Sequence, residues 1–301
     1  MTNNKTIKGA KMNNYFKGVI MVLISAFGFA LMPSLAIFAY QSQITVLTLL
    51  FFRFFLAGIL FFLYLYLKPE KVYLSKNTLF KLFLIGAVFY NLQSILYFSA
   101  VKYIAPSLAV LIVYTHPVII ALATSILDHE PLTIKVILSV LVSFFGMALM
   151  LGTSFTSING LGILLAAGTS IIYAVYVILT NKMLKTIPPL TASAYISLSA
   201  SFGLLMVSLL SGSFSLSFQA SAWPWIIVLV IFSTVIALLT FYRGLEVLGP
   251  TKATILSMAE PLFGIFLSIL LFQDHLTLLQ MIGAAGVISG AVAVVYKPEI
   301  T

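Results

Sequence analysis

The sequence contains no cysteine, and charged residues make up only 8% of its 301 positions. Without a thiol, the chain can form no disulfide, use no thiolate nucleophile and hold no metal through sulfur. A soluble domain carries roughly a quarter charged residues, so the scarcity of charge excludes an ordinary globular protein. Apolar residues make up 61% of the chain, and its mean hydropathy is +1.15. This composition predicts an all-α membrane protein.

Runs of nearly uncharged residues recur from Lys17 to the C-terminus, each long enough to cross a hydrocarbon core about 30 Å thick. Hydropathy and the proline and glycine breaks between the runs predict ten transmembrane helices. We place them at 17–39, 45–67, 80–101, 106–127, 133–151, 160–180, 190–211, 223–242, 251–272 and 278–296. The connections are short and leave no room for a soluble domain, so residues 1–301 are predicted to form a single transmembrane domain.

The basic residues are distributed unevenly between the two sides of the predicted bundle. If the N-terminus is cytoplasmic, only Lys102 among the 16 lysines and arginines lies outside, and only Arg53 lies within a span. Because cytoplasmic loops are enriched in lysine and arginine, this pattern predicts a multi-pass cell-membrane protein with both termini in the cytoplasm. The net charge of +9 has the same origin and does not indicate nucleic-acid binding.

The second half of the chain repeats the first. A shift of 144 residues superimposes Pro117 on Pro261 and His116 on Glu260. The same register also aligns Pro106 with Pro250, Ala109 with Ala253, Glu130 with Asp274, Leu132-Thr133 with Leu276-Thr277 and Gly146 with Gly290. This self-similarity predicts a first five-helix repeat at 17–151 and a second at 160–297. Five spans is an odd number, so the repeats must be inverted, a transporter design that places the site near the midplane.

Each half has a proline-centred fourth span, followed by an acidic residue and a Leu-Thr pair that opens the fifth span. The residues are Tyr114-Thr115-His116-Pro117 with Glu130-Pro131-Leu132-Thr133, and Ala259-Glu260-Pro261 with Asp274-His275-Leu276-Thr277. Over nearly its whole length the chain resembles the EamA-type branch of the drug/metabolite transporter superfamily. The resemblance implies that spans 1–4 and 6–9 surround a central cavity, with spans 5 and 10 at the periphery. It also implies transport of small metabolites or amphipathic compounds, often outward.

Three ionisable side chains fall deep inside predicted spans, where hydrocarbon penalises charge. Glu260 and His116 lie near the middle of their spans, and Arg53 lies a few residues nearer the outside. Glu260 is predicted to exchange a proton or an organic cation, or else to bind backbone donors near Pro261. His116 has either a substrate or proton role, or it satisfies a carbonyl beside Pro117. Arg53 is either a counter-ion for an anionic substrate or for Glu260, or a hydrogen bonder that joins helices.

Uncharged polar residues on three helix faces are further candidates for substrate binding. Span three carries Tyr90, Gln93, Ser94 and Tyr97 at helical spacing, with Asn91 at the border. Span six carries Thr169, Tyr173 and Tyr176, and span nine carries Ala253, Ser257, Glu260, Gly264 and Ser268. Aromatic rings with an amide suit a neutral or amphipathic ligand. Ordinary packing is the alternative at each position.

The sequence has no phosphate loop, dinucleotide fingerprint or metal motif, so no cofactor, metal or ATP-driven mechanism is predicted. We therefore predict a secondary transporter, not an enzyme, that exports a small organic solute by alternating access, with proton coupling and exchange both open. An intramembrane enzyme using His116 and Glu260, or a channel, is the alternative. The expected partners are the lipid bilayer, the solute and protons. Gly286 and Gly290 form a GxxxG motif for internal packing or for a dimer, so a monomer and a homodimer both remain open.

Overall fold

The structure is a computed structural model that describes residues 2–70, 72–129, 132–152, 159–272 and 277–296, without the side chains of 2–11 and 272. Within these ranges the chain is helical, and ten helices are long and apolar enough to cross a membrane. They are α1 (Met12–Tyr40), α2 (Val46–Leu67), α3 (Lys76–Ala100), α4 (Pro106–Leu127), α5 (Ile134–Leu151), α6 (Gly160–Leu184), α7 (Pro189–Leu210), α8 (Ala222–Leu248), α9 (Pro250–Leu271) and α10 (Leu278–Val295). The all-α fold and the ten spans predicted from the sequence are confirmed.

Two helices extend beyond their predicted ends. Helix α6 continues to Leu184 and α8 to Leu248, whereas hydropathy places the ends at residues 180 and 242. The added turns contain Lys182, Arg243 and Glu246, which lower the hydropathy while the backbone remains helical. The backbone hydrogen bonds of these two helices therefore continue beyond the apolar run, and the apolar run marks only the part of each helix that crosses the lipid.

The helices pack as two interlocked repeats. Helix α5 packs against α10, and α2 packs against α7, so each pairs with its counterpart in the other repeat. Helix α1 packs against α8, and α6 packs against α3, which is the same contact after exchange of the repeats. We call the side on which α1 begins and α10 ends the terminal side, and the opposite side the distal side.

Small residues bring α5 and α10 into close contact. A Cβ atom added at Gly146 would lie 2.7 Å from the carbonyl oxygen of Gly283, and one at Gly290 would collide with the hydroxyl of Ser143. Gly286 faces Gly146 in the same contact. The GxxxG motif of α10 therefore packs internally against α5, as small residues do between membrane helices.

Two kinds of helix irregularity recur in both repeats. Helix α4 consists of a first segment, Pro106–Val113, and a second, His116–Leu127, and α9 is likewise divided into Pro250–Ser257 and Glu260–Phe272. The breaks are equivalent at the 144-residue register, and each immediately precedes a residue followed by proline, which lacks the amide that would continue the helix. Helices α3 and α8 each contain a π-helical stretch, at Leu84–Tyr90 and Ile231–Ile236.

Candidate functional site

The two helix breaks face each other at the centre of the bundle. Glu260 is the first residue of the second segment of α9, and Tyr114 lies at the break of α4. The Tyr114 hydroxyl lies near the Glu260 carboxylate. Both side chains are only partly buried, although each lies near the middle of its span. Partial exposure at this depth, beside polar groups of other helices, indicates open space between the helices.

Tyrosines from α3, α4 and α6 surround the carboxylate. Tyr90, Tyr97 and Tyr173 all lie within electrostatic range of Glu260. The ring of Tyr173 stacks on that of Tyr176 at 5.8 Å, and the ring of Tyr90 meets Tyr176 edge-on at 5.9 Å. The predicted faces of spans three and six therefore meet in one aromatic cluster beside Glu260.

His116 takes the place of an amide that Pro117 lacks. In a continuous helix the carbonyl of Val113 would accept a bond from residue 117, but proline has no N–H. Instead, the His116 Nδ1 lies 2.9 Å from that carbonyl oxygen. A carbonyl can only accept, so Nδ1 carries a proton, and in the neutral ring Nε2 is then an acceptor. Nε2 is buried without a hydrogen-bond partner, and the ring meets Tyr173 edge-on at 4.6 Å.

Arg53 joins α2 to the π-helical stretch of α8. Its Nε donates to the Thr234 hydroxyl at 2.8 Å, and one terminal nitrogen donates to the Ser233 carbonyl at 3.0 Å. The other terminal nitrogen lies 2.7 Å from the sulfur of Met32 in α1, and only 3% of the residue is exposed. The geometry matches the helix-joining interpretation. Arg53 acts on Glu260 through its charge, and no hydrogen bond between them is found within the described residues.

Two of the remaining candidates on α3 are partly exposed, and one is buried. Asn91 is buried and donates to the carbonyls of Ala87 at 2.9 Å and Ala200 at 3.2 Å, so it ties α3 to α7. Gln93 and Ser94 are partly exposed, and the Ser94 hydroxyl donates to its own helix. These bonds agree with ordinary packing, one of the two interpretations of Asn91.

The helix break divides the predicted face of span nine, which runs along α9 from Ala253 to Ser268. Ser257 ends the first segment, is partly exposed and donates to the Ala253 carbonyl at 2.9 Å. Ala253 itself is fully buried. Apart from its chain neighbours and its own helix backbone, a Cβ atom added at Gly264 in the second segment would meet no atom within 4 Å. This face of α9 is thus packed at Ala253 and partly exposed from Ser257 onward.

We call the terminal side closed and the distal side open, according to whether the segments of α4 and α9 pack together on that side. The second segment of α4 packs against the first segment of α9, where Ile255 and Leu256 are buried. The other two segments of these helices make no comparable contact on the distal side. A buried hydrogen bond of 2.5 Å between the hydroxyls of Tyr176 and Tyr242 joins α6 and α8 below the aromatic cluster. These contacts separate Glu260 from the terminal side.

Sequence reasoning did not select Tyr114 and Tyr242 as site residues. Tyr114 belongs to the Tyr-Thr-His-Pro motif, which was a signal for it in the sequence. The 144-residue shift aligns it with Met258, which has no polar group, so the repeat did not mark the position. Tyr242 stands at the predicted end of span eight, where a tyrosine is typical of the membrane interface. Because α8 continues beyond it, Tyr242 lies inside the bundle and is fully buried.

Two apolar grooves lie along α1, α9 and α10. One, of about 360 Å³, is lined by Phe27, Phe263 and Phe266 among others, and the second, of about 790 Å³, extends between Phe16 and Val292. Their apolar linings are suited to lipid chains. Glu130, Pro131, Asp274, His275 and Leu276 of the acidic motifs lie outside the described residues. Within those residues, no group of three His, Cys, Asp or Glu could hold a metal.

Ten spanning helices in two repeats, with polar groups at paired midplane breaks, define a polytopic membrane protein of the transporter class. The EamA-like transporter family matches the chain twice, over residues 16–152 and 160–296, and the chain belongs to this family. The two matched segments correspond to the two five-helix repeats. The chain is therefore a membrane transporter of the EamA family.

Individual relatives agree with this assignment. The chain is 25% identical to the uncharacterized transporter YcbK of Bacillus subtilis (strain 168) over 92% of each protein. It is 26% identical to an uncharacterized transporter of Archaeoglobus fulgidus over 69% of this chain and 74% of the relative. A crystal structure of a protein that is 20% identical superimposes with a TM-score of 0.78 over 92% of this chain and 95% of the other. That likeness establishes the fold.

Proposed function

We propose that this protein is a secondary transporter that moves a small organic solute by alternating access, with Glu260 binding the solute or a proton. The observation that supports this is the position of Glu260. It begins a helix segment at the bundle centre, opposite Tyr114 and beside open space. A carboxylate at this depth is costly unless it pairs or takes part in transport.

The surroundings of Glu260 favour an amphipathic solute. The carboxylate and the unpartnered Nε2 of His116 are acceptors, and the rings of Tyr97 and Tyr173 lie close by. Acceptors beside aromatic faces suit a molecule with an apolar body and a donor or cationic group, such as an amine. A metabolite, an amino acid or an amphipathic compound with an amino group meets this description.

The distribution of lysine and arginine supports a cytoplasmic terminal side and therefore an outward-open site. In this state Glu260 is reached from outside, where it binds a proton. After the site opens to the cytoplasm, the proton leaves and a solute competes for the same carboxylate. Proton entry then drives solute export. Without a proton gradient, the same competition produces exchange.

The geometry gives less support to the other two functions. No hydrogen bond joins His116 to Glu260 within the described residues, and the Nδ1 of His116 is bound to Val113, so an acid–base pair is not assembled. The closed terminal side does not offer the continuous pathway that a channel needs. Turnover of a lipid by the purified protein, or single-channel currents, would reverse this ranking.

The test is solute flux in proteoliposomes. A thermal-shift screen of amino acids, nucleosides and cationic dyes selects a compound that stabilises the purified protein, since a ligand stabilises by mass action. That compound is then followed across vesicles with an imposed pH gradient. Glu260→Gln should abolish gradient-driven flux, and Glu246→Gln, a change at the exposed end of α8, should leave it intact. Undiminished flux in Glu260→Gln would refute the role of Glu260, and stabilising compounds that are never transported would refute the transporter proposal.

A further inference from the structure

A buried pair of hydroxyls fastens the closed side of the bundle. Thr124, in the second segment of α4, and Thr251, in the first segment of α9, lie with their side-chain oxygens 3.0 Å apart. The Thr124 hydroxyl is also 3.0 Å from the Ile120 carbonyl of its own helix. A hydroxyl has one hydrogen, so when Thr124 donates to this carbonyl, Thr251 donates to Thr124. This bond joins the two repeats directly, and both residues are buried.

The repeat register places hydroxyls at the equivalent positions on the open side. The 144-residue shift takes Thr124 to Ser268 and Thr251 to Ser107. Ser107 lies in the first segment of α4 and Ser268 in the second segment of α9, which are the two segments that are not packed together on the distal side. Both serines are partly exposed.

Residues near the hydroxyl pairs are also more buried on the closed side than on the open side. Ile255 and Leu256 are buried on the closed side, whereas their equivalents Leu111 and Ile112 are partly exposed. One turn before Ser268, an added Cβ at Gly264 would meet no other residue within 4 Å. The distal segments thus have apolar surface to bury and room in which to approach.

In an inverted repeat, exchanging the conformations of the two halves produces the state that faces the other side. We propose that Ser107 and Ser268 form the hydroxyl pair that closes the distal side, as Thr124 and Thr251 close the terminal side. The segments pivot at the breaks beside Glu260. This inference rests on the proposed function, because a carrier must close each side in turn.

Disulfide trapping tests the pair, because the natural chain has no cysteine. The variants Thr124→Cys/Thr251→Cys and Ser107→Cys/Ser268→Cys are oxidised in membranes with copper phenanthroline. We expect both to form an intramolecular disulfide. The matched controls exchange the partners, as Ser107→Cys/Thr251→Cys and Thr124→Cys/Ser268→Cys. Their thiols lie near opposite ends of the spans, roughly 25 Å apart, and should not cross-link.

A protein with all four cysteines should carry one disulfide or the other in each molecule. The proposal is overturned if Ser107→Cys/Ser268→Cys stays reduced where Thr124→Cys/Thr251→Cys is oxidised, or if single molecules carry both disulfides. Cross-linking needs no transported compound, so the two proposals can fail separately. A distal cross-link in a protein without flux would refute transport and support the pair. Flux without a distal cross-link would refute the pair and support transport.

A second measurement does not depend on the cysteine pairs. A single cysteine placed at Ser257, beside the site, is labelled with a membrane-impermeant thiol reagent from the distal side. Removing the terminal pair with Thr124→Val should lower the labelling rate, because it shifts molecules out of the distal-open state. Adding Ser107→Ala to Thr124→Val also removes the distal pair and should raise the rate again, about two- to tenfold, the range that one net hydrogen bond supports. A rate that does not fall in Thr124→Val, or that does not recover when Ser107→Ala is added, would overturn the proposal.

Discussion

The contacts of Arg53 predict that lysine cannot replace it. Two of its nitrogens donate to α8, at 2.8 Å to the Thr234 hydroxyl and at 3.0 Å to the Ser233 carbonyl. A lysine keeps the charge but offers one ammonium group in place of the planar fork, so at least one of these bonds is lost. The residue is 3% exposed, and water does not compensate for the loss.

The expected loss of stability follows from the kind of hydrogen bond that is broken. A hydrogen bond from a charged donor contributes about 1.5–3 kcal/mol, and a buried acceptor left without a partner adds to the loss. We expect Arg53→Lys to destabilise the protein by about 2–4 kcal/mol and to lower its apparent melting temperature in detergent by roughly 5 °C. Arg243→Lys, at the exposed end of α8, is the control and should change stability by less than about 0.5 kcal/mol.

The result separates the two interpretations of Arg53. If Arg53 serves mainly as a counter-ion for a solute or for Glu260, lysine supplies the same charge and melting is unchanged. If it joins helices, melting falls whether or not a solute is present. A stable Arg53→Lys protein with altered transport would show that our reasoning from the α8 contacts is wrong.

Two further predictions concern buried contacts. Tyr242→Phe leaves the Tyr176 hydroxyl buried without its partner and should lower the free energy of unfolding by about 1–3 kcal/mol. In thermal melting, the double variant Tyr176→Phe/Tyr242→Phe should lose less stability than the sum of the two single variants. Additive losses would contradict a direct bond between the hydroxyls. Gly290→Val drives a side chain into Ser143 and should lower the melting temperature by the equivalent of about 1–3 kcal/mol or more. The control Gly160→Ala should not, because its added carbon meets no atom within 4 Å beyond its chain neighbours and its own helix backbone.

The helix number was predictable because each span is a separate apolar run bounded by breakers. The repeat was predictable as well, since the prolines and the Leu-Thr pairs fall at one register. Span ends were less predictable. At α8 a hydropathy boundary at residue 242 assigned Tyr242 to the interface, although the helix carries it into the bundle interior. One misplaced boundary thus concealed one of the contacts that close the terminal side.

The depth of Glu260 followed from counting residues along its span, but its partners did not. Arg53 reaches the Ser233 carbonyl and the Thr234 hydroxyl because α8 is π-helical there, which changes the direction of its side chains and carbonyls. Hydropathy cannot indicate a π-helical stretch, because such a stretch has the same apolar composition as the α-helix around it. The bond between His116 and the Val113 carbonyl could be anticipated from Pro117, which removes the amide that would otherwise occupy that carbonyl.

The two midplane charges are carried by different kinds of structure, and this difference links binding to movement. Arg53 lies on α2, a helix without a break that packs along its counterpart α7, and its fork is fixed to α8. Glu260 lies at the start of a segment that must shift if Ser268 is to reach Ser107. The distance between a fixed cation and a moving carboxylate then differs between the two states, and so does the free energy of charging Glu260. Under the proposed function, a proton or a cationic solute on Glu260 would therefore favour one state over the other, because a ligand shifts a two-state equilibrium by its differential affinity for the two states.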